Sequence, residues 1–477
     1  MKVLLINPSF NLKKFGSFQR FMEPMPCIGL AYIAAVLEKN NIDVEIIDDF
    51  TSRLGEYGIL NIIKEKKVDV VGISCLTPSA PGVFSLVKKI KEYNNNILTV
   101  LGNIHASIFS EDILSANEAV DIIVHGEGEY TMLEIVKVWE GNMDFANIDD
   151  ISFKRDSQII RTKPRAPLED LDELPYPSWH LLPFRKYGLL PFADIDKPVL
   201  SISGSRGCPY GCIFCSLLHV SKKYRKRKAE KIVNEIDYLV NNFGVKQLGF
   251  VDPIFSLFKE DGLEFCEKMI KRGLNKKVIW ICETRVDKVD KELLRAMAMA
   301  GCKRILYGIE SGGQKEINNI KKNFSLDIAM QAIRNTKKEG IQSVGLFMLG
   351  LPGDTKESMR KTIRFAKEID LDFAKFALTV PFPGSTLYQN LVSSGEFKRQ
   401  DWENFLTFNS NSKDLVYIPG GLTAEELINM QQKAHFDFYL RPKIIFRHLF
   451  KIRTIRLKDL LLGFFSLILS YIKTKDK

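Results

Sequence analysis

The sequence predicts an α/β protein in two parts, with a doubly wound parallel sheet followed by a partial barrel of six βα units and a helical region behind them. Three observations carry this. Short apolar runs alternate with amphipathic helical stretches from residue 2 to about 140. The alternation stops across a proline-rich stretch, where seven of the nineteen prolines lie between Pro164 and Pro198. It then resumes from residue 199 at a spacing of 30–40 residues. Strands that alternate with helices form parallel sheets covered by those helices. The boundaries that follow are 1–140, a linker over 141–198, a barrel over 199–400 and a C-terminal region over 401–477.

In the first part, "KVLLIN" (2–7) is an apolar run that ends at Pro8, as a buried parallel strand does. "GLAYIAAVLEKNN" has helical spacing, and "DVEIID" (43–48) is a second strand. The stretches "VDVVGIS" (68–74), "ILTVLG" (97–102) and "VDIIVHG" (120–126) supply three more, each after a helix or turn, and "YTMLEIVKVWEG" closes the unit. "ISFKRDSQIIRTK" reads as a small hairpin at the start of the linker. The barrel strands are "VLSIS" (199–203), "KQLGFVD" (246–252), "VIWIC" (278–282), "KRILYGIE" (303–310), "SVGLFML" (343–349) and "FAKFALTV" (373–380). Functional groups of such barrels gather at the C-terminal strand ends.

Apolar residues make up 45% and charged residues 26% of the 477, an ordinary globular balance. The net charge of +10 is concentrated at one end, because residues 441–477 hold ten Lys/Arg against two Asp/Glu. A general nucleic-acid surface is therefore not expected. "MKVLLINPSF" has no export signal, which predicts a cytoplasmic protein, and eight scattered cysteines do not make a disulfide framework.

Three cysteines do cluster, as Cys208-x3-Cys212-x2-Cys215 in "GCPYGCIFC" directly after the first barrel strand. Thiolates favour zinc or iron–sulfur centres. With His219 the set suits a Cys3His zinc site. Alternatively, three cysteines on a [4Fe–4S] cubane leave one iron open. This spacing, with Phe214 before the last cysteine and a barrel strand ahead, resembles the radical S-adenosylmethionine (SAM) superfamily. Further matches are "FVDPIF", "ETRVD", "GIESG", "LGLPGDT" and "PFPGSTLY", over residues 195–395. The resemblance implies a [4Fe–4S] cluster on Cys208, Cys212 and Cys215. Its open iron would chelate SAM, whose reductive cleavage gives a 5′-deoxyadenosyl radical. It also implies SAM contacts from Phe214, Asp252, Arg285, Glu310 and Ser311. Carboxylates and an arginine are the side chains that suit an ammonium, a ribose and a carboxylate. The family's second acid beside Asp252 is here Pro253.

The front part has only Cys27 and Cys75, which excludes the second cluster of the methylthiotransferases. Its stretches "PMPCIGLAYIAAVLE", "VGISCLT", "LGNIHAS" and "VHGEGEYT" resemble the Rossmann-like (flavodoxin-like) cobalamin-binding domain of class B radical SAM methyltransferases and of the anaerobic Mg-protoporphyrin ester cyclase group. The resemblance implies cobalamin contacts from Ser74, Thr77, Gly102, His105, Gly126, Glu127 and Gly128. A tight turn with an acidic helix start is the plain reading of "GEGE". Two departures stand out. No Asp-x-His-x-x-Gly follows the first strand, so cobalt would lack histidine ligation there. The family's Gly-Gly-x-His is here Gly102-Asn103-Ile104-His105.

The run "KKYRKRK" (222–228) reads as a solvated face or as an anion-recognising patch. In the tail, Ile445, Leu449, Ile452 and Ile455 form one helical stripe. Lys443, Arg447, Lys451 and Lys458 form another, and thirteen uncharged residues follow at 460–472. That pattern suits attachment to an anionic membrane face through 441–472, too short to span one, or a core helix packing on the barrel. The expected activity is methylation of an unactivated carbon of a hydrophobic or lipid-like small molecule, with an external flavodoxin- or ferredoxin-type electron donor. The alternatives are a radical cyclase or rearrangement enzyme without methyl transfer, and a non-catalytic iron–sulfur/cobalamin protein.

Overall fold

The computed structural model describes the chain except residues 22–23, 189–196, 398–400, 410 and 453–477. The front sheet holds β1 (Lys2–Asn7), β2 (Asp43–Asp48), β3 (Val70–Ser74), β4 (Leu98–Gly102) and β5 (Ile122–Val124). It also holds β6 (Ile151–Arg155) and β7 (Gln158–Arg161), in the order β2-β1-β3-β4-β5-β6-β7. The first five strands are parallel, and the last two add as an antiparallel hairpin on β5. The hairpin assigned to the linker from sequence thus completes the front sheet. Its apolar residues, Ile151 and Phe153, need a cover, and β5 offers an open edge. Val3 and Leu5 face one core with Ala31 and Val136, while Leu4 and Ile6 face another with Ile63 and Val87. Burial on both faces explains why these strands read as continuous apolar runs.

The 2-1-3-4-5 order reverses direction between β1 and β3, and ligands of such sheets bind in the crevice at that switch point. Ser74 stands at the end of β3 and Gly102 at the end of β4.

The second sheet runs β8 (Val199–Ile202), β9 (Gln247–Phe250), β10 (Ile279–Thr284), β11 (Cys302–Glu310), β12 (Gln342–Leu349) and β13 (Phe373–Leu378), all parallel in sequence order. Trp280, Cys282 and Tyr307 pack outward under the helices, so Ile281, Glu283, Leu306 and Gly308 face the lumen. The lumen floor is closed by Arg304, which donates to Gln342 (3.0 Å) and lies 4.6 Å over the Phe373 ring.

β13 is an open edge, and the helix Ala424–Tyr439 covers it. Gln431 donates to the Phe376 carbonyl (2.8 Å), His435 accepts from the Phe376 amide (3.4 Å), and Tyr439 bonds both backbone groups of Ala374 (2.9 and 3.2 Å). Three side chains spaced four residues apart thereby stand in for a seventh strand.

The two sheets share one apolar core, joined through Leu174, Trp179, Leu182 and Tyr187 of the connecting stretch. The Tyr187 hydroxyl donates to Asp48 (2.7 Å), and the Ser178 amide donates to the Ala31 carbonyl (3.0 Å).

At the C-terminus the start of the tail follows the packing alternative, with a different face buried from the one the stripes marked. Arg447, placed on the exposed basic stripe, is buried and pairs with Asp370 (2.6 Å) and Asp372 (3.1 Å). Ile444 enters the core, and His448 bonds the Asp372 carbonyl (2.9 Å). The start of the tail is therefore docked on the barrel, leaving Phe446 and Phe450 exposed. Among the described residues no helix is long and apolar enough to cross a membrane. The apolar run 460–472 lies outside the described residues.

Candidate active site

The cysteine loop hangs from a two-residue ribbon in which Ser205–Arg206 pairs antiparallel with Arg225–Lys226. Gly207 begins the loop at φ +83, where a Cβ would fall 2.1 Å from the Lys223 carbonyl oxygen, so only glycine fits. The loop is tied to the barrel mouth where Ile213 donates to the Ile320 carbonyl (3.2 Å) and accepts from the Leu387 amide (2.8 Å). Cys212 and Cys215 each feel Cys208 electrostatically. Burial raises both thiols, Cys215 to about 11, and Lys322 and Arg285 partly offset this at Cys212. Among the described residues no three His, Cys, Asp or Glu side chains converge on a single ion. Three thiolates that each take a different iron of one cubane do not need to. The charged neighbour of His219 is Arg161, and Gly384 packs on its Cβ, so it turns toward the front domain.

Three of the residues named for SAM surround the loop. Arg285 follows β10 and stacks 3.8 Å from the Tyr210 ring centroid. It donates to Asp287 (2.9 Å) and to the Lys322 carbonyl (2.7 Å). Its Nη1 is buried with no partner among the described residues, a donor suited to the carboxylate of SAM. Glu310 ends β11 at φ +67, a conformation costly for a non-glycine residue, and pairs with Lys322 Nζ (2.8 Å). Phe214 packs beside Val380, Phe382 and Tyr388.

The other two serve the scaffold. Asp252 accepts from the Ser205 hydroxyl and from the Gly204 amide (3.0 Å), and burial raises its carboxyl to about 6. The Ser311 hydroxyl meets Thr362 (3.1 Å) and accepts from the Gly313 amide (3.1 Å). Lys322, Tyr210 and Glu283 were not singled out from sequence. Glu283 interrupts an otherwise apolar strand, and its inward register appears only in the structure.

On the front domain, Asn103 has φ 78 and ψ 175, a region that is essentially glycine's. Its amide nitrogen donates to Ser74 Oγ (3.0 Å), and its side-chain oxygen caps Ile104 (2.7 Å). Next to it, Gly102 borders open space, where a Cβ would meet nothing within 4 Å. That opening at the end of β4, beside Ser74 of β3, fits a cofactor tail. His105 is buried, contacts Thr77 Oγ1 (3.3 Å) and packs on Phe109 and Trp402, and burial lowers its pKa to about 4. It thus holds the loop together from inside. Gly126 at φ +56 opens the GEGE turn, and Gly128 packs against Ile33.

Glu127 does something the sequence did not suggest. Its carboxylate takes two bonds from Arg225 (2.7 and 2.9 Å) and an ion pair from Arg206 (3.1 Å), while Arg206 also pairs with Glu129 (2.5 Å). Burial opposes ionisation of Glu127, but Arg225 and Arg206 outweigh it and hold its carboxyl below the usual range. The basic run is thus neither a solvated face nor an anion patch at its arginines, since Arg227 is also buried, against Glu235 and Asp172. The base of the cysteine loop is clasped to the front domain's GEGE loop.

The fold and the loops define an α/β enzyme class with a flavodoxin-like domain set against a three-cysteine barrel mouth. Comparison with known proteins agrees. Residues 20–136 match the B12 binding domain model and residues 202–366 the Radical SAM superfamily model. An uncharacterized methyltransferase of Pyrococcus horikoshii is 30% identical over 94% of this chain and 95% of its own. The anaerobic magnesium-protoporphyrin IX monomethyl ester cyclase of Rubrivivax gelatinosus is 31% identical over 93% of this chain and 78% of its own. In fold, the chain is similar to the solved methyltransferase TsrM of Kitasatospora setae, with a TM-score of 0.69 at 17% identity, covering 83% of this chain and 79% of that one. The chain belongs to the cobalamin-binding radical SAM enzymes, whose cofactors are a [4Fe–4S] cluster, SAM and cobalamin.

Proposed function

We propose that the protein transfers a methyl group to an unactivated carbon of a largely apolar small molecule. Bound, the cofactors would supply the chemistry, a 5′-deoxyadenosyl radical from SAM and a methyl group carried by cobalamin. The chain's own part is to hold them. Cys208, Cys212 and Cys215 would ligate the cluster. Arg285 Nη1 and the Glu310–Lys322 pair would orient SAM beside it. Ser74, Thr77, Gly102 and the GEGE loop would receive the cobalamin. The single observation that carries this reading is the clasp of Arg206 and Arg225 on Glu127, which sets the cysteine loop against the GEGE loop, as two cofactors acting on one substrate would need. The aromatic set Phe109, Tyr388 and Trp402 at the seam between the domains supports an apolar substrate.

The test is anaerobic reconstitution followed by a dithionite/SAM assay. The native chain is expected to show a corrin spectrum and form 5′-deoxyadenosine. Cys212→Ala is expected to lose iron and 5′-deoxyadenosine together, and retention of either defeats the cluster assignment. A second reading, radical cyclisation without methyl transfer, is favoured by the likeness to the ester cyclase. Isotope-labelled SAM methyl appears in the product only under the first reading. The run 460–472 further supports contact with a membrane surface. Equal sedimentation with membranes of the full chain and a chain ending at residue 452 rejects that.

A further inference from the structure

Two charged side chains face the barrel lumen and have no place in the cofactor scheme above. Glu283 lies on β10 between Cys282 and Thr284, which are buried under the outer helices, so its own side chain opens into the lumen. Lys375 lies on β13 opposite Leu346 of β12, which is itself opposite Gly308 of β11, all on the lumen face. Both residues are exposed, so solvent and a ligand can reach them from the open side of the barrel. Among the described residues the Glu283 carboxylate has neither a hydrogen-bond nor an ion-pair partner. The Lys375 ammonium forms no ion pair there and rests 5.3 Å over the Phe408 ring. The two sense each other electrostatically without meeting. Ser201 Oγ, on the same face by register through Gly249 and Ile281, is buried and also unpartnered.

Exposed and unpaired, the two opposite charges are free to take the ends of an incoming zwitterion, and a ligand that displaces water between the barrel walls strengthens such contacts. Burial and the nearby Glu310 raise the Glu283 carboxyl to about 7, and burial lowers Lys375. The surrounding wall is apolar, with Leu346, Met348 and Ala377 half-buried around the lysine.

We infer that the lumen is a substrate subsite for a zwitterionic end, an ammonium held by Glu283 and a carboxylate or phosphate held by Lys375, on an otherwise apolar molecule. The inference rests on the proposed function, because it assumes that SAM occupies the barrel mouth above. The two residues are specificity residues that anchor the substrate's polar end and so fix which carbon reaches the cofactors.

The test uses the reconstituted full-length holoenzyme saturated with S-adenosylhomocysteine, which fills the methionine site. Binding of 6-aminohexanoate, hexanoate and hexylamine is then measured by saturation-transfer NMR. The zwitterion is expected to bind at least fivefold more tightly than either single-charge probe. Glu283→Gln is expected to bring it down to the level of hexanoate, and Lys375→Met to the level of hexylamine. Equal binding of the three, no binding of any, or an unchanged ranking in both variants overturns the inference. Iron, corrin and S-adenosylhomocysteine contents are measured on the same samples. Their loss in the native chain would sink the proposed function, whereas their retention without zwitterion preference sinks only the subsite. If one variant misfolds, the other still decides.

Discussion

Asn103 shows how much one residue can reveal about a site. It holds a glycine-type conformation and has Ser74 as its partner. Relief of that backbone strain outweighs the extra freedom glycine gains in the unfolded chain. Asn103→Gly should therefore stabilise the apoprotein by about 1 kcal/mol, as read by denaturant unfolding. Glu283 gives a pH signature. Its carboxyl holds a proton up to about 7 when folded and releases it near 4.5 when unfolded. The folded state then binds more protons between those values, so this group's contribution to stability falls as pH rises through the window. Glu283→Gln should flatten the slope of melting temperature against pH between about 4.5 and 7. The cysteine loop was legible in sequence because spacing alone defines it. Asp252 and Ser311 sit at the expected strand ends, but their side chains turn to Ser205 and Thr362, a choice of rotamer and neighbour that no spacing encodes. Glu283 and Lys375 were hidden because each interrupts an apolar strand, and only the register shows which face they take.

Among elements, the strands were readable from their apolar runs, and all eleven expected ones form within a few residues of their expected ends. The pairing of β6 and β7 onto β5 was not, since an antiparallel hairpin carries no mark of which edge it will join. Nor was the edge-sealing role of Gln431, His435 and Tyr439, whose periodicity reads as an ordinary helix face. Replacing Gln431 by Leu leaves the Phe376 carbonyl without that donor. It should cost on the order of 1–2 kcal/mol, measurable as a shift in unfolding midpoint at unchanged m-value. The clasp is a longer-range element contact. Glu127→Gln keeps the shape but removes the charge facing two arginines, one of them buried. A destabilisation of about 2 kcal/mol is expected, with Arg225→Met costing less in that background than alone, because the two changes share one interaction and only the bond from Arg225 to the Leu168 carbonyl is lost in addition.

For the molecule as a whole, the continuous core and the docked connecting stretch predict that front sheet and barrel unfold together. Calorimetry of the apoprotein should show a single transition, and two resolved transitions would contradict the shared core. The clasp has a further consequence, for protein engineering. Arg206 and Arg225 bracket the cysteine loop, and their shared acceptor belongs to the other half of the chain. A chimera that imports a front half from a relative must therefore bring a glutamate to meet both guanidinium groups. Otherwise it inherits two stranded cations at the seam between its two halves.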